Sequence, residues 1–321
     1  MVAPSPQPLI SVVVPVFNEA QVLPEFYRRL HRVLAAQDLH SEIVFVDDGS
    51  SDGSVDYLLS LRNSDPRVAV VELSRNFGKE VAVSAGLDHA AGNAVMIIDA
   101  DLQDPPEMLP EFVDAWRAGY DMVYGQRLSR DGESWFKVQS SRWYYRVINR
   151  LSDVPIPPDA GDFRLLSRRA VDAVNTLREN HRYMTGLYAW VGFPSMALPY
   201  ARQARQAGAS KWSYWRLWGL ALEGITSFSA VPLKLATLLG IVTAGGALLY
   251  GLYFLLRTLV FGNPVPGYPS LIVVMLFLGG VQLICLGIIG EYLGRTFDQS
   301  KRRQLYFLKG LHPVRGGRDE D

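Results

Sequence analysis

Residues 96–106 of the chain read MIIDADLQDPP. The first three residues are typical of a short buried strand, and the two prolines at the end cannot continue one. Because side chains two apart on a strand share a face, Asp99 and Asp101 are predicted to converge at the strand's carboxyl end, where open α/β sheets bind ligands. Neighbouring carboxylates repel each other unless a cation lies between them. The segment therefore predicts either a site for Mg²⁺ or Mn²⁺, which prefer oxygen ligands, or an acidic turn.

Strand-like and helix-like patterns alternate on both sides of this segment. β-Branched apolar runs predict strands at residues 10–15, 42–48, 68–73, 94–99 and 121–125. Apolar residues at helical spacing predict helices at residues 23–34, 54–61, 79–91, 106–118 and 168–177, the last after a Pro/Gly/Asp loop at 155–162. This alternation predicts an α/β fold with a mostly parallel, doubly wound sheet.

Composition excludes several classes of protein. The 321 residues have a formal net charge of zero, which indicates no nucleic-acid partner. The only cysteine, Cys285, excludes an internal disulfide, and no His/Cys spacing is typical of a zinc site. Residues 1–8 are rich in proline and lack the apolar centre of a signal peptide, so the N-terminal part is expected to remain in the cytoplasm.

The C-terminal third has the composition of a membrane anchor. Residues 235–256 and 258–290 contain no charged side chain, and each stretch can supply the roughly 20 apolar residues that cross a bilayer. The turn at 261–268 is also uncharged. Basic residues flank the pair on both sides, at Lys234 and in the segment 295–309. This pattern predicts two transmembrane helices in the inner (plasma) membrane, with the catalytic domain and both termini in the cytoplasm.

Two aromatic segments admit two interpretations each. Residues 135–151 are basic and aromatic, which fits a surface helix covering the sheet or a helix near lipid headgroups. Residues 212–218 contain three tryptophans, which favours an interfacial helix over an aromatic core helix.

Polar residues follow three of the predicted strands. They are Asn18 and Glu19, Asp47 and Asp48, and Asp99 and Asp101. Carboxylates at one edge of a sheet can accept hydrogen bonds from ribose hydroxyls, and a metal can bridge them to a diphosphate. The chain has neither a G-x-x-x-x-G-K-[ST] loop nor a G-x-G-x-x-G turn after the first strand. A nucleoside-diphosphate pocket is therefore predicted, but not a P-loop or dinucleotide-binding fold.

Four motifs in this order resemble the family-2 glycosyltransferases of GT-A fold: VPVFNE (14–19), VDDGSSDG (46–53), RNFGK (75–79) and DADLQDPP (99–106). They resemble in particular the polyisoprenyl-phosphate branch, which includes dolichyl-phosphate mannose synthases and bactoprenol glucosyltransferases. The segments GDFRL (161–165), AWVGF (189–193) and GASKW (208–212), with the two apolar spans, resemble the bactoprenol type. The resemblance covers nearly the whole chain.

The resemblance and the hydropathy pattern together imply four regions. A Rossmann-like GT-A domain is expected at residues 1–210 and an interfacial amphipathic helix at 211–232. Two transmembrane helices are expected within 233–292, followed by a cytoplasmic basic tail at 293–321.

The resemblance also implies the donor-side residues. The base and ribose are expected to lie against Pro15, Phe17, Asn18 and Glu19. Phe17 stands where many relatives carry tyrosine, so stacking is kept and a hydroxyl contact is lost. Asp48 is implied to contact the nucleoside, and Asp99 the ribose and diphosphate. Asp101 and Gln103 are implied to be the ligands of Mg²⁺ or Mn²⁺, which fits the preference of these ions for oxygen.

The acceptor implied by the resemblance is a polyprenyl phosphate. Arg127, Arg142 and Lys211 are candidates for its phosphate, since arginine and lysine both bind phosphate; each could also be an ordinary surface cation. Asp162 resembles the family's proposed catalytic base. With a phosphate nucleophile it could instead orient the acceptor or Arg164, or cap its own loop.

The predicted reaction is metal-dependent, inverting transfer of a hexose, foremost glucose from UDP-glucose, onto undecaprenyl phosphate for a cell-envelope glycan. One alternative is the same mechanism with a GDP-mannose or UDP-aminoarabinose donor. Another is a non-catalytic membrane adaptor that binds nucleotide sugar. A processive synthase is disfavoured because such enzymes usually carry more membrane spans than the two predicted here, although residues 139–143 (QSSRW) match their Q-x-x-R-W pattern. A homo-oligomer is compatible with the sequence, but no residue indicates one.

Overall fold

The computed structural model describes residues 9–37, 40–128, 160–180, 182–201, 231–262 and 267–315, with a few positions between 139 and 157. The aromatic segment at 212–218 lies outside the described residues, as does most of the segment at 135–151. The interfacial helix expected at 211–232 lies outside them up to residue 230.

The described residues form eight strands and eight α-helices. The strands are β1 Ile10–Val16, β2 Ser41–Asp47, β3 Val68–Leu73, β4 Ala94–Ile97, β5 Met122–Arg127, β6 Ala160–Ser167, β7 Ser195–Tyr200 and β8 Leu308–His312. The helices are α1 Leu23–Ala36, α2 Ser54–Ser64, α3 Lys79–His89, α4 Leu109–Arg117, α5 Arg168–Thr176, α6 Met184–Val191, α7 Val231–Phe261 and α8 Tyr268–Ser300.

All eight described strands belong to one sheet, in the order β7-β5-β6-β4-β1-β2-β3-β8. Strand β1 pairs in parallel with β2 and β4, and the pairs β2/β3 and β5/β7 are also parallel. Strand β6 runs antiparallel between β4 and β5, and β8 runs antiparallel along β3. The predicted α/β class with a mostly parallel sheet is confirmed. Because β6 is reversed, its first residues lie beside the carboxyl ends of β4 and β5.

Helices cover both faces of the sheet, as a doubly wound fold requires. One core contains Val12 and Val14 of β1 with the buried faces of α1, α2 and α4. The other contains Val13 with residues of α3, α5 and α6. The alternation of successive residues of β1 between the two cores follows from the period of two in a strand.

Two element boundaries close to the site differ from the prediction, and α6 and β7 were not predicted. Strand β4 ends at Ile97 rather than Asp99, because its pairing with β1 stops at Val13 and the chain then turns. Residues 160–162, predicted as loop, begin β6, where Ala160 pairs with Gln126 of β5. Pairing between distant segments decided both boundaries, and local propensity does not reveal such pairing.

Gly86 of α3 allows this helix to lie directly on the sheet. A Cβ atom at this position would lie 2.2 Å from Val13 Cγ1 and 3.1 Å from Val46 Cγ2. We expect Gly86→Ala to destabilise the protein by about 2 kcal/mol, because overpacking of a tight core outweighs the gain in helix propensity. Thermal or denaturant unfolding of the full chain measures this. Gly245→Ala, in α7 with no neighbouring atom within 4 Å, is the matched control; equal stability losses in both variants would contradict the expectation.

Helices α7 and α8 have 31 and 33 residues and are apolar and exposed. Both are long and apolar enough to cross a membrane. Their large side chains face outward, with Leu248 71% exposed and Phe261 79% exposed. They are therefore not core helices of a soluble domain, and this supports membrane association. Helix α8 continues beyond residue 292, where the predicted span ends, to Ser300.

The segment after α8 returns to the sheet, a feature that its basic composition did not predict. Strand β8 extends the edge at β3, and Glu72 of β3 contacts both His312 (2.9 Å) and Lys309 (3.3 Å). The hydroxyl of Tyr306 donates to Asp88 at 2.9 Å. The tail is thus attached to the α/β domain by backbone pairing as well as by side chains.

Removal of residues 301–321 is expected to lower the melting temperature by roughly 5–10 °C. The truncation removes the β8 ladder, and each net hydrogen bond contributes about 1 kcal/mol. It also exposes the edge of β3, which favours aggregation. Calorimetry and sedimentation of the purified proteins measure both effects. A shorter truncation that ends at Arg315 keeps every described tail contact and serves as the control; equal behaviour of the two truncations would contradict a stabilising role for β8.

Candidate active site

Hydrogen bonds tie the loop after β1 to the loop after β2. Asn18 adopts a left-handed backbone (φ 55°), which asparagine tolerates better than most residues. Its side-chain oxygen accepts from the backbone amide of Ser51 at 2.8 Å, and its backbone amide donates to Ser50 Oγ at 2.9 Å. The ring of Phe17 is 42% exposed and accessible to a ligand. This part of β1 and its loop contains the four residues predicted for the base and ribose: Pro15, Phe17, Asn18 and Glu19.

Asp48 fixes the loop that precedes α3. It is 3% exposed, and its two carboxylate oxygens accept from the amides of Phe77 (2.7 Å) and Gly78 (2.9 Å). Burial raises the pKa of Asp48, although the hydrogen bonds from the two backbone amides act to lower it. Gly49 (φ 75°) permits the close approach, since a Cβ there would lie 2.7 Å from the carbonyl carbon of Arg75. A nucleoside contact of Asp48 stays a prediction; the structure adds a positioning contact.

Asp99 and Asp101 lie on the turn after β4, not on the strand itself. The strand-period argument for their convergence was therefore wrong, although both residues do lie at the carboxyl end of β4. Leu102 holds this turn. Its left-handed backbone (φ 61°) is costly for a branched residue, and its fully buried side chain anchors the turn in the core. Asp101 Oδ1 accepts from the Gln103 amide at 3.1 Å, so the two predicted metal ligands belong to one compact turn.

The oxygen donors on this turn fit a divalent cation, but only in part. Within the described residues, no group of three or more His, Cys, Asp or Glu side chains could hold a metal ion. Asp101 and Gln103 offer one carboxylate and one amide oxygen, the ligand type that Mg²⁺ and Mn²⁺ accept. Such a pair suits an ion that takes its other ligands from a diphosphate and water.

Lys79, the first residue of α3, joins two acids from different strand ends. Its Nζ lies 2.6 Å from Asp99 Oδ2 and 2.9 Å from Asp162 Oδ2. Burial acts to raise the pKa of Asp162, but the Lys79 ammonium outweighs it and keeps that pKa below its usual value. Asp162 is therefore an anion at neutral pH. Sequence reasoning assigned Lys79 no role, although the motif RNFGK ends on it.

Arg127, a predicted phosphate contact, ends β5 close to Asp162. A Cβ on Gly161 would lie 3.4 Å from Arg127 Nη2, so the guanidinium lies against the first residues of β6. The buried Nε of Arg127 has no hydrogen-bond partner in the part of the chain that the structure describes. Beside it, Tyr200 donates to Asp104 at 2.5 Å, and burial raises the pKa of Asp104 to about 6. Asp104 is thus buried and bound to Tyr200.

A second set of charged residues lies beneath Asp162. Arg164 is 4% exposed, and its guanidinium lies 3.8 Å from the centre of the Tyr188 ring. Glu80, next to Lys79, accepts from the Met184 amide at 3.3 Å. Burial raises the pKa of Glu80, and the nearby Asp162 charge adds to the effect. The sequence indicated Arg164 only as a group that Asp162 could orient. It gave no sign of Glu80 of α3 or of Tyr188, which the packing of α6 brings to this place.

The structure thus brings together most of the predicted site at one rim of the sheet. Residues from the ends of β1, β2, β4 and β5 and from the start of β6 lie at this rim, where Lys79 contacts Asp99 and Asp162. Two predicted phosphate contacts, Arg142 and Lys211, lie outside the described residues.

Comparison with known proteins agrees with this geometry. The model of the family described as glycosyl transferase family 2 matches residues 11–174, and that of the GtrB C-terminal hairpin matches residues 231–296. The chain is 47% identical over 300 residues to the bactoprenol glucosyl transferase of Shigella phage SfV, covering 94% of this chain and 98% of that protein. It is 45% identical over 300 residues to the prophage bactoprenol glucosyl transferase homolog of Escherichia coli K12, with the same coverage.

A third relative is an uncharacterized glycosyltransferase of Synechocystis. It is 49% identical over 302 residues, which are 94% of this chain and 95% of that protein. The family match spans strands β1 to β6, whose ends form the acidic rim, and the hairpin match spans α7 and most of α8. The chain is therefore a glycosyltransferase, and it belongs to glycosyl transferase family 2.

Proposed function

We propose that this protein transfers glucose from UDP-glucose to undecaprenyl phosphate at the cytoplasmic face of the membrane, with inversion at the anomeric carbon. One observation carries the proposal. Relatives named bactoprenol glucosyl transferase align with 94% of the chain, and the match includes the apolar hairpin as well as the catalytic domain. A membrane hairpin on the same chain keeps the catalytic domain at the surface where a lipid acceptor lies.

The donor is proposed to lie across the carboxyl ends of β1, β2 and β4. The base stacks on the exposed ring of Phe17, and the ribose lies between Asn18, Glu19 and the loop that Asp48 holds. Asp99 faces the ribose and diphosphate. Asp101 and Gln103 would hold Mg²⁺ or Mn²⁺, and such an ion would supply positive charge against the leaving diphosphate.

The acceptor phosphate is proposed to lie on the other side of Asp162. Arg127, whose buried Nε has no hydrogen-bond partner among the described residues, lies against Gly161, and we assign it to the phosphate together with Arg142 and Lys211. A phosphate oxygen forms a bond to the anomeric carbon while the bond from that carbon to the UDP oxygen breaks. The nucleophile is already anionic near neutral pH, so positioning and charge stabilisation supply most of the rate. Asp162 orients the acceptor and its cations.

The two apolar helices support a reaction at a membrane surface. We propose that α7 and α8 cross the bilayer and that both termini are cytoplasmic, because basic residues flank the pair and the turn between them is uncharged. The water-soluble donor and the insoluble acceptor then meet at the headgroup plane. The tail contacts of β8 support this arrangement, since they hold the catalytic domain next to the end of α8.

The test is transfer of radiolabelled sugar into an organic-extractable lipid. The purified full chain is mixed with undecaprenyl phosphate, Mg²⁺ or Mn²⁺, and one of UDP-glucose, UDP-aminoarabinose or GDP-mannose. Label in the lipid phase from UDP-glucose, and only with lipid present, is the expected result. Label from another donor alone would assign a different sugar. Nucleotide-sugar binding without label in any lipid would indicate the adaptor and overturn the proposal.

A further inference from the structure

Lys79 is held at the rim by buried groups. The residue before it, Gly78, has a backbone (φ 100°) that favours glycine, and its amide donates to the buried carboxylate of Asp48. Lys79 then begins α3, whose next turns pack in the core under β1 and β2. The position of its Cα is therefore determined by the fold, so the ammonium reaches the rim from a rigid base.

The ammonium occupies the space between two carboxylates. It contacts one oxygen of Asp99 and one of Asp162, at 2.6 and 2.9 Å. Burial acts to lower the pKa of Lys79, but the two acids more than offset it and hold that pKa well above its usual value. The group is thus a permanent cation, and it neutralises acids that would otherwise repel each other across the rim.

The positive charge of Lys79 lies close to the turn where a divalent cation would bind. Asp99 and Asp101 are separated by one residue, and an oxygen of Asp99 is already engaged by Lys79. A second cation nearby is repelled by the Lys79 ammonium. A nucleoside diphosphate changes the balance, because it brings negative charge and oxygen ligands for the metal.

We propose that Lys79 is a positioning residue that fills the gap between Asp99 and Asp162 in the donor-free site and keeps divalent cations weakly bound until a nucleoside diphosphate arrives. Metal and donor then bind as a unit. The inference rests on the proposed function for the role of the metal, but its test needs no lipid and no turnover.

The test measures Mn²⁺ binding to the full chain by electron paramagnetic resonance, with and without UDP. Wild type is expected to bind Mn²⁺ weakly alone and more tightly with UDP. Lys79→Met is expected to bind Mn²⁺ about tenfold more tightly without UDP, and the gain from UDP should shrink by a similar factor. Lys79→Arg keeps the charge and is expected to resemble wild type. Lys309→Met, which removes an exposed lysine paired with Glu72 at 3.3 Å, is the matched control.

The outcomes separate the two proposals. Unchanged or weaker Mn²⁺ binding by Lys79→Met without UDP, while wild type still binds Mn²⁺ with UDP, overturns the role of Lys79 and leaves the proposed function intact. Mn²⁺ binding by none of the proteins, even with UDP, overturns the metal assignment and this inference together. A tenfold gain in Lys79→Met supports the inference even if glucose transfer is absent. Melting temperatures of all variants verify folding.

Discussion

Asp101→Asn is expected to reduce sugar transfer at least about 10³-fold while the protein stays folded. Asparagine has nearly the same shape and can still accept the Gln103 amide that Asp101 Oδ1 now accepts at 3.1 Å, so the turn is preserved. What is lost is the negative charge that would hold a divalent ion against the leaving diphosphate. Because electrostatic stabilisation of developing charge is usually the largest catalytic contribution, the loss should appear in the rate.

Initial rates at saturating donor, with and without excess chelator, measure this effect. Asp114→Asn, on the exposed surface of α4 with a side chain 77% exposed, makes the same chemical change away from the rim and is expected to have no effect. Full activity of Asp101→Asn, or of wild type in excess chelator, would exclude the metal role assigned to this turn.

Asp162→Asn is expected to lower kcat by about 10²- to 10³-fold with little change in the KM for the nucleotide sugar. The Lys79 ammonium keeps the pKa of Asp162 below its usual value against the effect of burial, so the group acts as an anion. The variant keeps the side-chain shape but removes the charge that orients the acceptor and balances Arg127 and Arg164. Lys79 retains its contact with Asp99 at 2.6 Å, so the donor side should be little disturbed.

Steady-state kinetics with a water-dispersed polyprenyl phosphate separates kcat from both KM values. Asp172→Asn, on the exposed side of α5 with a side chain 63% exposed, is the control. A rise in the KM for the nucleotide sugar at unchanged kcat would assign Asp162 to donor binding instead. Wild-type kinetics would limit it to capping its loop.

The order of elements from β1 to β5 was predictable because each of these strands and helices has its own local signal. The run at residues 10–15 is β-branched and ends in proline, and residues 23–34 have helical apolar spacing. Both became the elements expected, β1 and α1. The charge-free stretches after Lys234 likewise predicted α7 and α8, since hydropathy is a property of composition alone.

The boundaries near the site were less predictable. Strand β4 stops before Asp99 because its neighbour β1 stops pairing with it, and β6 starts at Ala160 because β5 pairs there. Both facts depend on partners distant in sequence. The attachment of β8 to β3 was hidden for the same reason, since residues 308–312 contain no alternating pattern strong enough to predict an edge strand.

Sequence alone determined the chemistry available at the rim: the acids after β1, β2 and β4, the absence of a P-loop, and an apolar hairpin on the same chain. Tertiary structure alone decided which charges meet. The distance from Lys79 to Asp162 is set by the packing of α3 on the sheet and by the reversed direction of β6, which brings the start of that strand to the rim. Ionic contacts depend on separations of a few ångströms, and only the assembled sheet determines those separations.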